Sequence, residues 1–547
     1  MESQRTFLFI GLLLVSFLLF QEWNNEKLQA NTDTSATTQQ VAAPANQIAQ
    51  EDDVPASTQN DVPAAVSKAV RSVITVTSDL LAVQIDTKGG DIVEAKLLQH
   101  AETHGSDTPF LLLGEFEGRE YISQSGLIGL NGPDASPEGR PVYTAQQKAY
   151  ELSGDELRVP LTFVDNKGVQ YTKTYVFKAG KYDVGLEYNV NNGTENPIQV
   201  QLYTQVKRTV QAKGSMVDQT YLGATYGTSE EPYEKYSFED MAEANLNKNT
   251  QGGYIAFIQH YFLSAWVPDQ SVNNTIYTLL RNNQGIIGIK GDAVNVQANT
   301  TATINSTFYM GPKDGDTLEA LHEDLDLAVD FGWLWFISQP LLVLLKLLYS
   351  FIGNWGVAII AITILVKMAL YPLTKAQYTS MAKMRALQPK MQQLKERYGD
   401  DRQKMGQATM ELYRKEKVNP MGGCLPLLLQ MPIFLALFYV FLESPELRHA
   451  EFMFWLTDLS AKDPYYVLPI LFGASMFLTQ KLQPMTVTDP MQQKMMTYMP
   501  IVFTFFFILF PFPSGLVLYW LVSNLITIAQ MLYIYRGMEK QGIKVRD

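Results

Sequence analysis

Two hydrophobic rhythms divide the 547-residue chain. Between about Ser72 and Pro312, runs such as "SVITVTS", "VQYTKTYVF", "YDVGLEYNV", "PIQVQLYTQV", "GIIGIKG" and "TATINSTFYM" alternate apolar with polar residues, with Gly, Asn and Asp between them. That alternation predicts many short half-buried strands, enough for a sandwich or barrel with its own core. "DGDTLEALHEDLDLAVDFG" then predicts one amphipathic helix leading out of it. After Phe331 the apolar residues run almost unbroken to Val366. About 35 residues at ~1.5 Å each exceed 50 Å, too long for one membrane crossing. "GNWG" at 353–356 divides the run, and further apolar stretches follow at 422–442, 465–480, 497–511 and 515–535, the last two joined by a tight "PFPSG" turn.

Charge decides how these stretches are threaded. Residues 22–332 hold 41 acidic and 21 basic side chains while the rest holds 14 and 22, so the overall net charge of −12 describes neither part. If both halves of 331–366 spanned, the segment 374–420, with 11 basic and 5 acidic residues, would face outward. The positive-inside bias forbids this. "WLWFISQPLLVLLKLLYSF" is therefore expected along the outer interface, anchored by its Trp and Tyr residues. The N-terminal "MESQRTFLFIGLLLVSFLLFQEW" has one Arg, a short apolar core and Trp23 at an interfacial position, which reads as an uncleaved signal anchor. Residues 24–70 are too polar to offset chain entropy and read as a disordered tether.

The expected organisation is an anchor span at 1–23, an external tether at 24–70, a β-domain at 71–312, a linking helix and an interface helix at 313–352, and a second span at 353–373. A basic cytoplasmic hairpin follows at 374–420, then four further spans within 421–535 and a cytoplasmic tail at 536–547. Six spans put both termini inside. Cys424 stands alone, so no internal disulfide forms.

Lys367 is the residue this layout does not explain. An ammonium at the bilayer centre costs about 2.5–3.5 kcal/mol on insertion scales, which makes it a functional hypothesis. Thr363, Lys367 and Tyr371 recur at i, i+4 and i+8, the spacing of one helix face. The last span carries a second stripe, Tyr519, Ser523, Thr527 and Gln530, with Trp520 and Asn524 beside it; Gln430 stands between Pro426 and Pro432, and Ser475 and Thr479 share a face. Polar stripes on several spans must face one another or water, because lipid leaves their donors unsatisfied. Together they outline an aqueous cavity. The competing readings are a lysine that snorkels to the inner interface and hydroxyls that only pack helices.

Enzymatic readings lack their parts. All five histidines fall outside the spans, and the chain has no HExxH, no clustered Cys, no Walker-type loop and no Asp or Glu within an apolar run. Neither a metal or other cofactor nor a DNA partner is expected. In 374–420, Met381, Met384, Met391, Met405 and Met410 lie among basic residues, a surface that suits varied apolar partners, ribosomal RNA or anionic lipid.

"YPLTKAQYTSMAKMRALQPKM", "NPMGGCLPLLLQMPIFLALFYVF" and "FPSGLVLYWLVSN" resemble the membrane core of the YidC, oxidase-assembly and Albino family of membrane protein insertases. The acidic β-rich insert is similar to the family's Gram-negative form, so the likeness covers essentially the whole chain. It implies a polytopic helical protein of the bacterial inner membrane, with a five-helix core, a hydrophilic groove open to cytoplasm and lipid, and a periplasmic all-β super-sandwich. The implied activity is insertion and folding of newly made membrane proteins, with the Sec translocon and its accessory subunits, and the ribosome, as partners. An assembly scaffold without insertion activity is the alternative. Such family members usually carry Arg in the groove where this chain has Lys367, which keeps the charge and loses the planar fork. On this reading the partner of Lys367 arrives with the client.

Overall fold

The computed structural model describes residues 54–55, 72–116, 118–210, 221–398, 401–416, 418, 425–482, 490–510 and 512–540. The expected anchor, nearly all of the tether, Cys424 and the final seven residues lie outside the described residues. The described residues from 54 to 482 and from 500 to 540 form one compact unit, and the helical residues 490–499 are described only by themselves.

Alternation in sequence becomes alternation in burial. Leu81–Asp86 and the first eight residues of Asp183–Asn192 turn every second residue inward, as one buried sheet face requires. Nineteen strands among the described residues make two sheets, one of ten strands bounded by Asn247–Gln251 and Ala149–Glu151, the other of nine bounded by Glu234–Tyr236 and Thr144–Ala145. The pairing is antiparallel except where Thr75–Thr77 meets Ala149–Glu151. Between the sheets lie large aromatics: Trp266 stacks on Phe308 at 4.6 Å and donates its Nε1 hydrogen to Ser123 Oγ at 2.9 Å.

That core also contains charge. Arg140 bonds Asp91 Oδ1 through Nη2 at 2.9 Å and Asp134 Oδ1 through Nε at 2.8 Å. Lys173 donates to the carbonyls of Gly89 and Ser125, each at 3.0 Å. Burial pushes its ammonium down to about 7. The turn at Gly89 (φ +74°) must be glycine twice over, since a Cβ there would lie 2.3 Å from Arg140 Cζ.

The chain then leaves through helices. Among the described residues these are α1 (Phe238–Glu243), inside the β-region, then α2 (Gly315–Leu321), α3 (Trp335–Ile352), α4 (Trp355–Ala369), α5 (Tyr371–Ala386), α6 (Gln388–Tyr398), α7 (Arg402–Lys415), α8 (Leu425–Glu443), α9 (Val467–Leu482), α10 (Pro490–Leu509) and α11 (Ser514–Glu539). Among the described residues, two helical stretches can cross a membrane by length and composition, Gly332–Ile352 and Ser514–Glu539, with the bent pair α4–α5 a third and shorter apolar helices at Leu428–Glu443, Val467–Leu482 and Thr497–Leu509.

Three expectations need correction. The single linking helix is broken: α2 ends at His322, which is extended, and single turns at Leu325–Ala328 and Gly332–Leu334 follow. The break lets Leu318, Leu325 and Ala328 join one core with Tyr254, while the Tyr254 hydroxyl bonds the Asp324 carbonyl at 3.4 Å. The helix at the expected second span does not run straight through 353–373. It ends at Ala369, and α5 departs at 62°. Pro372 sits in the first turn of α5, lacks an N–H and biases the residue before it away from helix. The segment expected as a hairpin, 374–420, has a break at Leu387, between α5 and α6, that the two-helix reading did not include.

Candidate functional site

The start of α4 is fixed by local chemistry. Gly353 adopts the left-handed conformation (φ +72°) that ends α3 and donates to Tyr349 O at 2.7 Å. Asn354 then caps α4, accepting from Val357 N at 3.0 Å and donating to the Phe452 carbonyl at 3.0 Å. With that end held, Thr363 and Lys367 come to lie buried on one face of α4.

Lys367 Nζ donates to Thr527 Oγ1 of α11 at 3.1 Å, and the Lys367 carbonyl accepts from Gln530 Nε2 at 3.1 Å. Among the described residues no carboxylate pairs with this ammonium. Thr527 is neutral, so it answers one donor of the ammonium but not its charge; its own hydroxyl proton goes to Ser523 O at 2.8 Å. The same economy recurs nearby: Thr363 donates to Ile359 O at 2.6 Å, Ser475 to Phe472 O at 2.7 Å and Thr479 to Ser475 O at 2.9 Å. Each hydroxyl spends its proton on its own helix and keeps oxygen lone pairs to offer. Asn524 uses one of these, donating from Nδ2 to Ser475 Oγ at 3.2 Å and tying α11 to α9. Asn524 and Thr527 are three apart and share a face of α11, so α4, α9 and α11 present one polar seam with a cation at one end.

The seam does not include every candidate. Tyr371 starts α5 beyond the bend and packs with Tyr378, Met531 and Tyr535, away from the i, i+8 position its spacing predicts. Gln430 is half-buried on α8 and has no hydrogen bond to the seam among the described residues. Tyr519 lies against Phe434 and Phe441, with ring centres at 5.8 and 5.3 Å. Trp520 is surrounded by Phe434, Phe438, Phe472, Phe507 and Phe512, and its Nε1 has no partner among the described residues. This aromatic packing was not read from the sequence, although the Phe spacing in 434–441 and 505–512 was there to signal it. Gly473 lets α9 approach Thr504 closely, since a Cβ would fall 1.9 Å from its Oγ1.

A large β-sandwich joined to apolar helices with a polar seam inside defines a helical membrane protein with an extramembrane domain. Two family models match the chain, the YidC periplasmic domain over residues 73–344 and the 60Kd inner membrane protein over 347–541. Curated relatives named membrane protein insertase YidC include those of Pseudoalteromonas translucida (strain TAC 125), 72% identical over 100% of both chains, and Shewanella loihica (strain ATCC BAA-1088 / PV-4), 54% identical over 100% of both. A solved structure described as an active YidC insertase with its first transmembrane domain resolved covers 86% of this chain and 94% of its own, at 21% identity and a TM-score of 0.37. The chain belongs to the YidC family of membrane protein insertases. It is an inner-membrane protein with a periplasmic domain, and the relatives' name denotes an insertase, not an enzyme.

Proposed function

We propose that this chain inserts client membrane proteins, and helps them fold, through a hydrophilic groove built on the seam of Lys367, Thr363, Ser475, Thr479, Ser523, Asn524, Thr527 and Gln530. The observation that carries this reading is the buried Lys367 ammonium with only a neutral hydroxyl as partner. A buried charge without a counter-charge is costly unless another charge is supplied, and an acidic residue in a client's translocated tail supplies one. The driving force needs no motor: a client span of ~20 residues at about −0.3 to −0.6 kcal/mol each gains roughly 6–12 kcal/mol on entering lipid. The groove lowers the barrier by shortening the dry path for the polar tail.

The client span itself is guided by α8 and α10, which expose Leu428, Leu429, Met431, Ile501, Val502 and Phe505. Six spans with both termini cytoplasmic remain the favoured topology. Lys346, in the second half of α3, pairs with the half-buried Asp314 at 3.3 Å and Glu446 at 2.8 Å, and a charged cluster on this helix supports laying α3 along the outer interface instead of across the hydrocarbon. Tyr371, Gln430, Tyr519 and Trp520, also expected in the groove, stand outside this seam. The basic hairpin serves ribosome and anionic lipid contacts, and the Sec translocon is a partner for larger clients. Purified protein in liposomes, given a small two-span client, should make the client's tail protease-protected. Binding of the client without protection assigns the chain to the assembly-scaffold class instead.

A further inference from the structure

Three segments of the β-domain converge on one end of α8. Glu443, the last residue of that helix, accepts at Oε2 from Lys313 Nζ at 2.9 Å. Lys313 directly follows the final strand, Thr300–Pro312, is 2% exposed, and donates its backbone N–H to Tyr261 O at 2.9 Å. The carbonyl of Leu442 accepts from His260 Nε2 at 3.0 Å. Just past the helix, Arg448 donates to Ala101 O at 2.7 Å and Glu102 O at 3.1 Å, with its guanidinium over Phe110 and Phe262. Toward the other end of α8, Leu428, Leu429 and Met431 are exposed.

A buried ion pair adds little stability over an apolar pair of the same shape, but it penalises any arrangement that separates its members. We propose that Lys313 and Glu443 are positioning residues of the insertion site: their pair fixes the pivot of α8 and so the angle at which its exposed face meets a client helix. The proposal rests on the reading of α8 as a client guide. It makes the junction at Lys313 part of the insertion machinery, while the sandwich beyond it stays a support.

The test uses the full-length chain in proteoliposomes, with Cys424→Ser as background and single cysteines introduced as Leu428→Cys, Leu429→Cys or Met431→Cys. Each is cross-linked to one cysteine in the span of a small two-span client. Lys313→Met and Glu443→Gln, each at wild-type protein level, should cut insertion about tenfold by leaving one buried charge unpaired, and should redistribute cross-links among the three positions. The exchanged pair Lys313→Glu with Glu443→Lys should restore both insertion and the wild-type pattern. Single variants that insert normally overturn the proposal, as does reduced insertion with an unchanged pattern or without rescue by the exchange. Absence of cross-links from all three positions in the otherwise wild-type chain overturns the guide reading first, and the proposal with it.

Discussion

Arg140 in the sandwich and Lys367 in the helical bundle are buried to the same degree, 7% and 8% exposed, but their surroundings differ in kind. Arg140 meets two carboxylates and the Ser125 carbonyl, so its charge and its donors are both answered within the fold. Lys367 meets one hydroxyl. Lys173 lies between these cases, since it has two carbonyl partners but no carboxylate bonded to it, and burial pulls its proton affinity down. Burial alone therefore does not separate structural charges from working ones. The completeness of the partner set does, because a fully paired charge holds a fold together while an incompletely paired one is available to something that arrives later.

The sharpest way to break this comparison is Arg140→Met. It leaves the Asp91 and Asp134 carboxylates without the guanidinium that bonds them both, and truncating one member of a buried pair costs about 3–5 kcal/mol. Thermal unfolding of the purified protein should show a destabilised β-domain, while insertion at a permissive temperature stays near wild type because the seam is untouched. Lys367→Met should do the reverse, keeping the unfolding midpoint or raising it while lowering insertion. If both substitutions act on the same property, the distinction between paired and unpaired charge fails.

Lys173 sharpens the comparison through pH. Its folded value of about 7 lies below the unfolded value of 10.5, so between these limits the unfolded chain binds more protons and stability rises with pH. Below about 7 the group is protonated in both states and its contribution is flat. From pH 7 to 9 it should add about 2 kcal/mol of unfolding free energy. Lys173→Met should flatten that rise in denaturant unfolding of the β-domain. A variant that keeps the wild-type pH slope would show that Lys173 is charged in the fold after all.

The next effect is smaller and confined to function. Lys367→Glu should reduce insertion of a client with an acidic tail about tenfold, roughly 1.4 kcal/mol, and a tail carrying Lys should recover part of the loss. Lys367→Met should fall between, with neutral tails least affected. Protease protection measured for acidic, neutral and basic versions of one client decides this. A loss that is equal for all three tails favours a lysine that merely snorkels.

Much of this was legible in the chain because it is written in periodicity. Alternation marked the strands, and the Thr363–Lys367 spacing and the stripe from Ser523 to Gln530 marked two faces that do meet, through Lys367–Thr527 and Gln530–Lys367. Tyr371 was misplaced because a period-based reading assumes a straight helix, and Pro372 ends that assumption one turn too early. The Lys313–Glu443 pair was not legible at all. Its members are 130 residues apart, each is an ordinary charged residue at the edge of an element, and only tertiary packing reveals that both are buried.

The smallest predicted effect is the most discriminating for the mechanism. Lys367→Arg keeps the positive charge and moves it little, so if the seam works by attraction toward an approaching acidic tail, insertion should stay within about twofold of wild type. The guanidinium has five donors where the ammonium has three, and the Thr527 oxygen satisfies one, so Arg needs neighbouring oxygens to accept the others. The hydroxyl of Thr363 keeps lone pairs available on the same face of α4. An arginine that gains partners there should hold α4 and α11 together slightly more tightly, raising the unfolding midpoint a little without changing the order of preference among acidic, neutral and basic tails. If Lys367→Arg instead abolishes insertion while preserving stability, the charge is not what the client uses. The geometry of the single Lys367–Thr527 contact would then carry the function, and Thr527→Val should reproduce the loss.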